Sequence, residues 1–313
     1  MHIDGVRIEA MFGCVPATAV DNHAVLAPLV GEEKAAAIVK ATGFPVRRAV
    51  PEHTDVLELM SPAARRALEG SAADEIGGVV AVSFSARERF PALASVLQHE
   101  LGLPVSTVAY DLSMACSGYV YGLFCAAQLV KSTGRKVLLV DGDVQSAWCD
   151  SGDANTLAVM SDGASATLLA PGAGSWEFSF FTDGAGGDAL RCREKIAMDG
   201  FGVFRFVAGP VKRFIDGFIS AGRFGDDRSG LWFAPHQANM YMVRQLAESL
   251  GLGARTIASG DKFGNTGSCS ASLALADSEC SGPVLVAGFG AGLSAGAALL
   301  EIGDIRRGIV SVG

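Results

Sequence analysis

Residues 281–300 carry no charged side chain, and this run limits the possible folds more than any other segment. A stretch of that length is long enough to cross a bilayer as one helix. Glycines at 282, 288, 290, 292 and 296 argue against it, because a glycine in a helix interior costs about 1 kcal/mol relative to alanine. Divided at its glycine-rich middle, the run becomes two short apolar segments, 283–289 and 294–302, that read as buried strands. Strands apolar on both faces need further layers of structure above and below them. The expectation is a soluble protein of stacked α/β layers, with no membrane span.

Other short, apolar, β-branched runs predict strands at 78–84, 136–143, 164–170 and 231–235. Helical periodicity falls at 62–69, 91–101, 118–131, 203–221, 240–250 and 268–278. Strand and helix alternate, which favours α/β layers around buried sheets. The order also repeats roughly, and a chain of 313 residues exceeds the usual size of a single core. Two halves are therefore expected, 1–170 and 171–313, connected through the Gly-, Ser- and Asp-rich segment 171–187.

Composition narrows function by exclusion. Half of the residues are hydrophobic and only 19% are charged, the makeup of a large core with a buried oligomer face. A formal net charge of −8 opposes general nucleic-acid binding, which needs a basic stripe to displace counterions. An acidic protein partner needs only a local basic patch. The seven cysteines form no Cys-x-x-Cys pair, so neither a zinc site nor a redox motif is indicated. They read as free thiols in a reducing cytosol. The first ten residues contain Asp4, Arg7 and Glu9 and lack the apolar length of a secretion signal. A cytoplasmic protein is expected, and nothing requires a metal or a cofactor.

Three residues stand in contexts that suit chemistry. Cys116, in Asp-Leu-Ser-Met-Ala-Cys-Ser-Gly-Tyr, lies where a small-residue turn leads from a strand into an apolar helix. The helix N-terminus favours a thiolate there and leaves backbone N–H groups free for an oxyanion. Taken alone, a cysteine in such a core is usually inert. His236, in Ala-Pro-His-Gln-Ala-Asn, follows a buried strand and precedes a helix, as expected of a residue presented at a sheet's carboxyl edge. A lone histidine is more often structural, and His2, His23, His53 and His99 take that reading. Asn265, in Gly-Asn-Thr-Gly-Ser, suits a turn or a helix cap, or an amide donor to a developing oxyanion. A fourth segment, Gly288-Phe289-Gly290-Ala291-Gly292, has no strand–helix context for a nucleotide fingerprint and fits a close backbone approach instead.

Together these segments, in this order and spacing, resemble β-ketoacyl-acyl-carrier-protein synthase III over nearly the whole chain. The resemblance implies the thiolase fold, two pseudo-repeated halves in five α-β-α-β-α layers, usually as a homodimer. It implies that Cys116 accepts an acyl group from an acyl thioester, carried by coenzyme A or by acyl-carrier protein. His236 and Asn265 would hold a malonyl thioester during decarboxylative Claisen condensation. The N–H groups of Cys116 and Ala291 would form the oxyanion hole, and Phe289 would face the reacting centre. Phe90 would reach the partner subunit's acyl pocket, and Arg244 would meet the carrier.

Some positions depart from the family pattern. Members with a housekeeping role grip adenine with a Trp and two Arg, where this chain has Ala37, Ala41, and Ala147 or Trp148. A specialised lipid or secondary-metabolite synthase is the reading that follows. Two others compete with it: an acyltransferase that passes the acyl group to an oxygen or nitrogen nucleophile, and a non-catalytic partner subunit. Intact Cys116, His236 and Asn265 favour condensation over both.

Overall fold

The structure is a computed structural model and describes residues 1–225 and 227–313. Its frame is a nine-stranded sheet system. Strands run in the order Trp232–Pro235, Gly282–Gly290, Ser294–Ile302, Gly163–Thr182, Lys136–Asp143, Ile76–Val82 and Val108–Leu112. His2–Pro16 pairs with Gly163–Thr182 on one side and with Arg306–Val312 on the other. The uncharged run at 281–300 is two antiparallel strands, Gly282–Gly290 and Ser294–Ile302, in register from Gly282 opposite Ile302 to Gly290 opposite Ser294.

Buried side chains form three main clusters, and they explain the layering. Helix Gly118–Thr133 is buried along Tyr119, Leu123, Ala126, Ala127 and Val130. It packs in the same core as Ala271, Ala274 and Leu275 of helix Ser270–Ala276 and as strand residues from both ends of the chain. These two helices form the middle layer. A second cluster joins helices Leu57–Leu68 and Leu93–Glu100 to the outer face of the amino-terminal strands, through Leu59, Met60, Ala63, Leu93 and Leu97. A third joins Ile215, Ile219, Met242 and Leu246 to the opposite outer face, with Leu285, Ala297 and Leu299. Helix, sheet, helix, sheet, helix is the five-layer thiolase arrangement. Among the described residues, no helix is long and apolar enough to cross a membrane.

Several elements differ from the sequence expectation. The segment 171–187, read as a connection, is mostly strand: Gly163–Thr182 runs unbroken for 20 residues. It pairs with Lys136–Asp143 through its first part and with Ser294–Ile302 through its last. The division between 170 and 171 thus falls inside a strand. Its glycines and serines lie where strands approach closely; a Cβ on Gly174 would stand 2.1 Å from the Val6 carbonyl oxygen. The helix expected from Pro62 begins at Leu57 and holds Pro62 inside it. Burial of Leu59, Met60, Ala63, Ala64 and Ala67 outweighs the one backbone bond that proline removes. The helix expected at 203–221 starts at Gly200 and relaxes into a π-helical turn, Val207–Val211, around Pro210.

Candidate active site

The chain delivers Cys116 on a tight turn. Strand Val108–Leu112 ends, a short 3-10 turn covers Ala115–Ser117, and helix Gly118–Thr133 begins. Ala115, just before the cysteine, has φ 43°, a left-handed conformation that a non-glycine residue holds at a cost of order 1–3 kcal/mol. The turn persists because its surroundings pin it. The Ser117 hydroxyl donates to the Met114 carbonyl at 3.0 Å and lies 2.8 Å from the Ser294 hydroxyl. On the other side the glycine-rich strand closes in. A Cβ on Gly290 would stand 2.8 Å from the Cys116 Cβ, and one on Gly288 would stand 2.9 Å from the Ser117 Cα. Only glycine permits that approach.

His236 follows strand Trp232–Pro235, and its backbone N–H donates to the Ala287 carbonyl at 2.7 Å. The imidazole Nδ1 lies 2.7 Å from the Ser270 hydroxyl, at the start of helix Ser270–Ala276. Phe289 meets the ring edge-on, with centroids 5.5 Å apart. Asn265 is held through both ends of its amide. Its Oδ1 accepts from the Gly267 N–H at 3.0 Å, while Nδ2 donates to the Ala238 carbonyl over 3.4 Å. That long bond occupies one of two amide protons, so a donor remains available. The Asn265 carbonyl accepts from Gln145 Nε2 at 2.7 Å and from the Ser161 N–H at 2.9 Å.

These elements meet at one place. Cys116, His236, Asn265, Phe289 and Gly290 all line a cavity of about 90 Å³. Cys116 and Ala291 also line a larger cavity of about 340 Å³, together with Phe84, Gln145, Trp148 and Leu190. The backbone N–H groups of Cys116 and Ala291 both favour negative charge on the sulfur. A thiol, an imidazole, a side-chain amide and two backbone donors thus surround one small space.

The chain is similar to known proteins in sequence and in fold. The family model of 3-oxoacyl-[acyl-carrier-protein (ACP)] synthase III matches residues 110–186, and its C-terminal model matches residues 230–302. The β-ketoacyl-[acyl-carrier-protein] synthase III of Geobacillus kaustophilus is 33% identical over 276 residues, which cover 84% of this chain and 88% of that one. The chain belongs to the β-ketoacyl-acyl-carrier-protein synthase III family. The crystal structure of 3-oxoacyl-(acyl-carrier protein) synthase from Burkholderia xenovorans LB400 superposes on it with a TM-score of 0.94, at 28% identity, covering 100% of this chain and 98% of that one. A priming β-ketosynthase from the R1128 polyketide biosynthetic pathway is also similar, with a TM-score of 0.88, 28% identity, and coverage of 96% and 97%.

Electrostatics in this synthase III site correct one expectation. Burial, reinforced by the nearby Asp143 carboxylate, pushes the Cys116 thiol up to about 12, against the N–H groups of Cys116 and Ala291. The thiol form therefore prevails, because desolvation of a charged sulfur outweighs the donors at the helix start. Burial also pushes His236 down to about 4, so the imidazole is neutral at pH 7. Two buried carboxylates lie below. Burial raises Asp143 to about 6 and Asp141 to about 7. Asp143 accepts from the Phe84 N–H at 2.9 Å and the Ser83 hydroxyl at 2.8 Å, and its Oδ2 is buried without a partner.

The remaining predicted residues do not join the cavity. Phe90 is 83% exposed. Arg244 donates to the Met240 carbonyl and lines a separate outer hollow with Ala37, Ala41 and Tyr241. One helix, Met240–Ser249, thus faces both ways, since Met242 lines the inner cavity. Sequence reasoning missed Gln145, Ser270 and the hairpin Leu190–Cys192 with Ile196–Met198 that covers the site, and it considered Trp148 only for the adenine grip, whereas Trp148 lines the Cys116 cavity. It also missed Asp141 and Asp143, although two aspartates in an otherwise apolar strand are an anomaly that can be read directly.

Proposed function

We propose that the chain catalyses decarboxylative condensation of an acyl thioester with a malonyl thioester, with Cys116, His236 and Asn265 as its catalytic set. The convergence of these three on one cavity supports this reading most. In the first step the Cys116 sulfur attacks the acyl carbonyl, and the carrier thiol leaves with the cysteine's proton. The N–H groups of Cys116 and Ala291 hold the oxyanion. In the second step the malonyl thioester loses carbon dioxide. Its carbonyl oxygen becomes the enolate oxygen, held by the His236 ring and the Asn265 amide. Ser270, donating to Nδ1, leaves the proton on Nε2 for this purpose. The enolate carbon then attacks the acyl thioester, releasing the Cys116 thiolate and a β-ketoacyl thioester.

The cavity bounded by Phe84 and Trp148 is the place for the acyl chain. Ala37 and Ala41 offer no stacking ring or guanidinium to an adenine, and the third position, Ala147 or Trp148, offers no guanidinium, which favours a specialised acyl donor or a carrier-bound one. The similarity to a polyketide priming ketosynthase supports the same view. The chain pairs as a homodimer through residues 84–103, with Phe90 entering the partner's site; a monomer in light scattering at micromolar concentration overturns that arrangement.

Intact-mass measurement decides the reaction. The protein is incubated with a panel of acyl thioesters and then with a malonyl thioester. Condensation predicts an adduct on Cys116 that is discharged with release of carbon dioxide. Discharge only by alcohols or amines would instead establish the acyltransferase.

A further inference from the structure

Behind the wall of the Cys116 cavity lies a second space of about 620 Å³, and Trp148 lines both. Its other lining side chains include Arg47, Arg87 and Lys195, with the carboxylates Glu52 and Glu194. Arg87 is committed to the His53 carbonyl at 3.0 Å, and Lys195 to the Ala147 carbonyl at 3.1 Å. Glu52 is 89% exposed and faces His53 at 3.8 Å.

Arg47 differs from all of these. It is 7% exposed, its Nε is buried without a hydrogen-bond partner, and it enters no ion pair with any described residue. The nearby Asp162 carboxylate attracts the Arg47 charge, but its hydrogen bonds come from the Val50 N–H, the Ser146 N–H and the Ser146 hydroxyl and not from the guanidinium. The buried Nε is left without an acceptor, which is unfavourable, and a guanidinium's fork of donors matches two oxygens of a phosphate or carboxylate.

We propose that Arg47 and this cavity form an oxyanion site that takes a phosphate group, at a place separate from the condensing centre. The phosphate comes either from the thioester's own carrier group or from a free anion in solution.

Thermal melting of the whole protein tests this, with sodium pyrophosphate, coenzyme A and phosphate-free pantetheine as probes and sodium chloride as the ionic-strength control. At a hundredfold excess over Kd, an anion is expected to raise the Tm by about 4 °C, and pantetheine is not. Arg47→Met removes the positive charge beside Asp162, so melting without anion falls, and the anion response disappears. Arg47→Lys, which keeps the charge but loses the fork, weakens the response about tenfold and serves if the methionine variant does not fold. A tenfold higher KM for acyl-coenzyme A in the Arg47 variant assigns the phosphate to the thioester. An unchanged KM with a lost pyrophosphate response assigns it to a free anion. A wild-type response no larger than that to chloride, or one that survives in Arg47→Met, overturns the site. A carboxylate from a second copy already seated on Arg47 would give the first of those results.

Discussion

The floor around Cys116 and the outer hollow around Arg244 are built on opposite principles. On the floor, His236, Asn265, Gln145 and Ser270 are all tied to backbone or hydroxyl partners, and strained Ala115 is held by what packs on it. In the hollow, Tyr241 is 52% exposed and the positions beside it are Ala37 and Ala41. A floor of this kind tolerates no change in which atoms face the substrate. A hollow of small and exposed side chains can alter what it grips without disturbing the fold. On the proposed function, chemistry and carrier choice are separable on this scaffold.

The sharpest attack on this contrast is Cys116→Ala, which should abolish acylation of the protein by every thioester tried. Acylation that survives at another of the seven cysteines, seen by peptide mapping, removes the floor from the chemistry. Asn265→Ala should come next, slowing condensation by about 10²–10³ while Cys116 still becomes acylated, because only the enolate loses a donor. Equal losses in both steps, measured by single-turnover mass spectrometry, would move Asn265 into the acylation machinery.

A third prediction concerns pH. The folded protein keeps His236 neutral down to about pH 4, whereas an unfolded imidazole binds its proton near 6.5. Unfolding therefore takes up a proton between those values. The stability that the neutral ring contributes is fully present above pH 6.5 and is lost as pH falls through 4, by about 3 kcal/mol. Urea titrations at pH 7 and pH 4 should show that extra loss in the wild type relative to His236→Asn. Equal losses would mean that the ring is solvated in the folded state. The smallest effect belongs to the hollow: Ala37→Trp with Ala41→Arg should lower the KM for acyl-coenzyme A about tenfold and leave kcat for a carrier-bound donor unchanged. A fall in kcat instead would show that hollow and floor are coupled.

The same contrast explains what could be read before the structure. Pro-His-Gln-Ala-Asn and Gly-Asn-Thr-Gly-Ser single out His236 and Asn265 through their immediate neighbours, as Asp-Leu-Ser-Met-Ala-Cys-Ser-Gly-Tyr does Cys116, so the three residues that line one cavity were legible as candidates. Strands 136–143 and 294–302 were legible for the same reason, being apolar runs with sharp ends. His2–Pro16 was not, since Asp4, Arg7 and Glu9 break its apolar pattern and only pairing with two other strands makes it a strand. Ser270 was hidden because its partner is far away in sequence: 34 residues separate His236 from Ser270. Arg244 sits on the right helix but on its outer face, a distinction that depends on which neighbours the helix packs against. The depressed thiolate expectation for Cys116 failed because a helix start is visible in sequence and the depth of burial is not.

The unbroken strand Gly163–Thr182 has a mechanical consequence. It is hydrogen-bonded to amino-terminal neighbours along one stretch and to carboxyl-terminal ones along another, so neither half has a complete edge of its own. Cutting the chain between 170 and 171 leaves two fragments with frayed, unpaired backbone, which are expected to aggregate rather than fold apart and reassociate. Amide exchange in the intact protein should accordingly show the central strands of both halves opening together, as one cooperative unit.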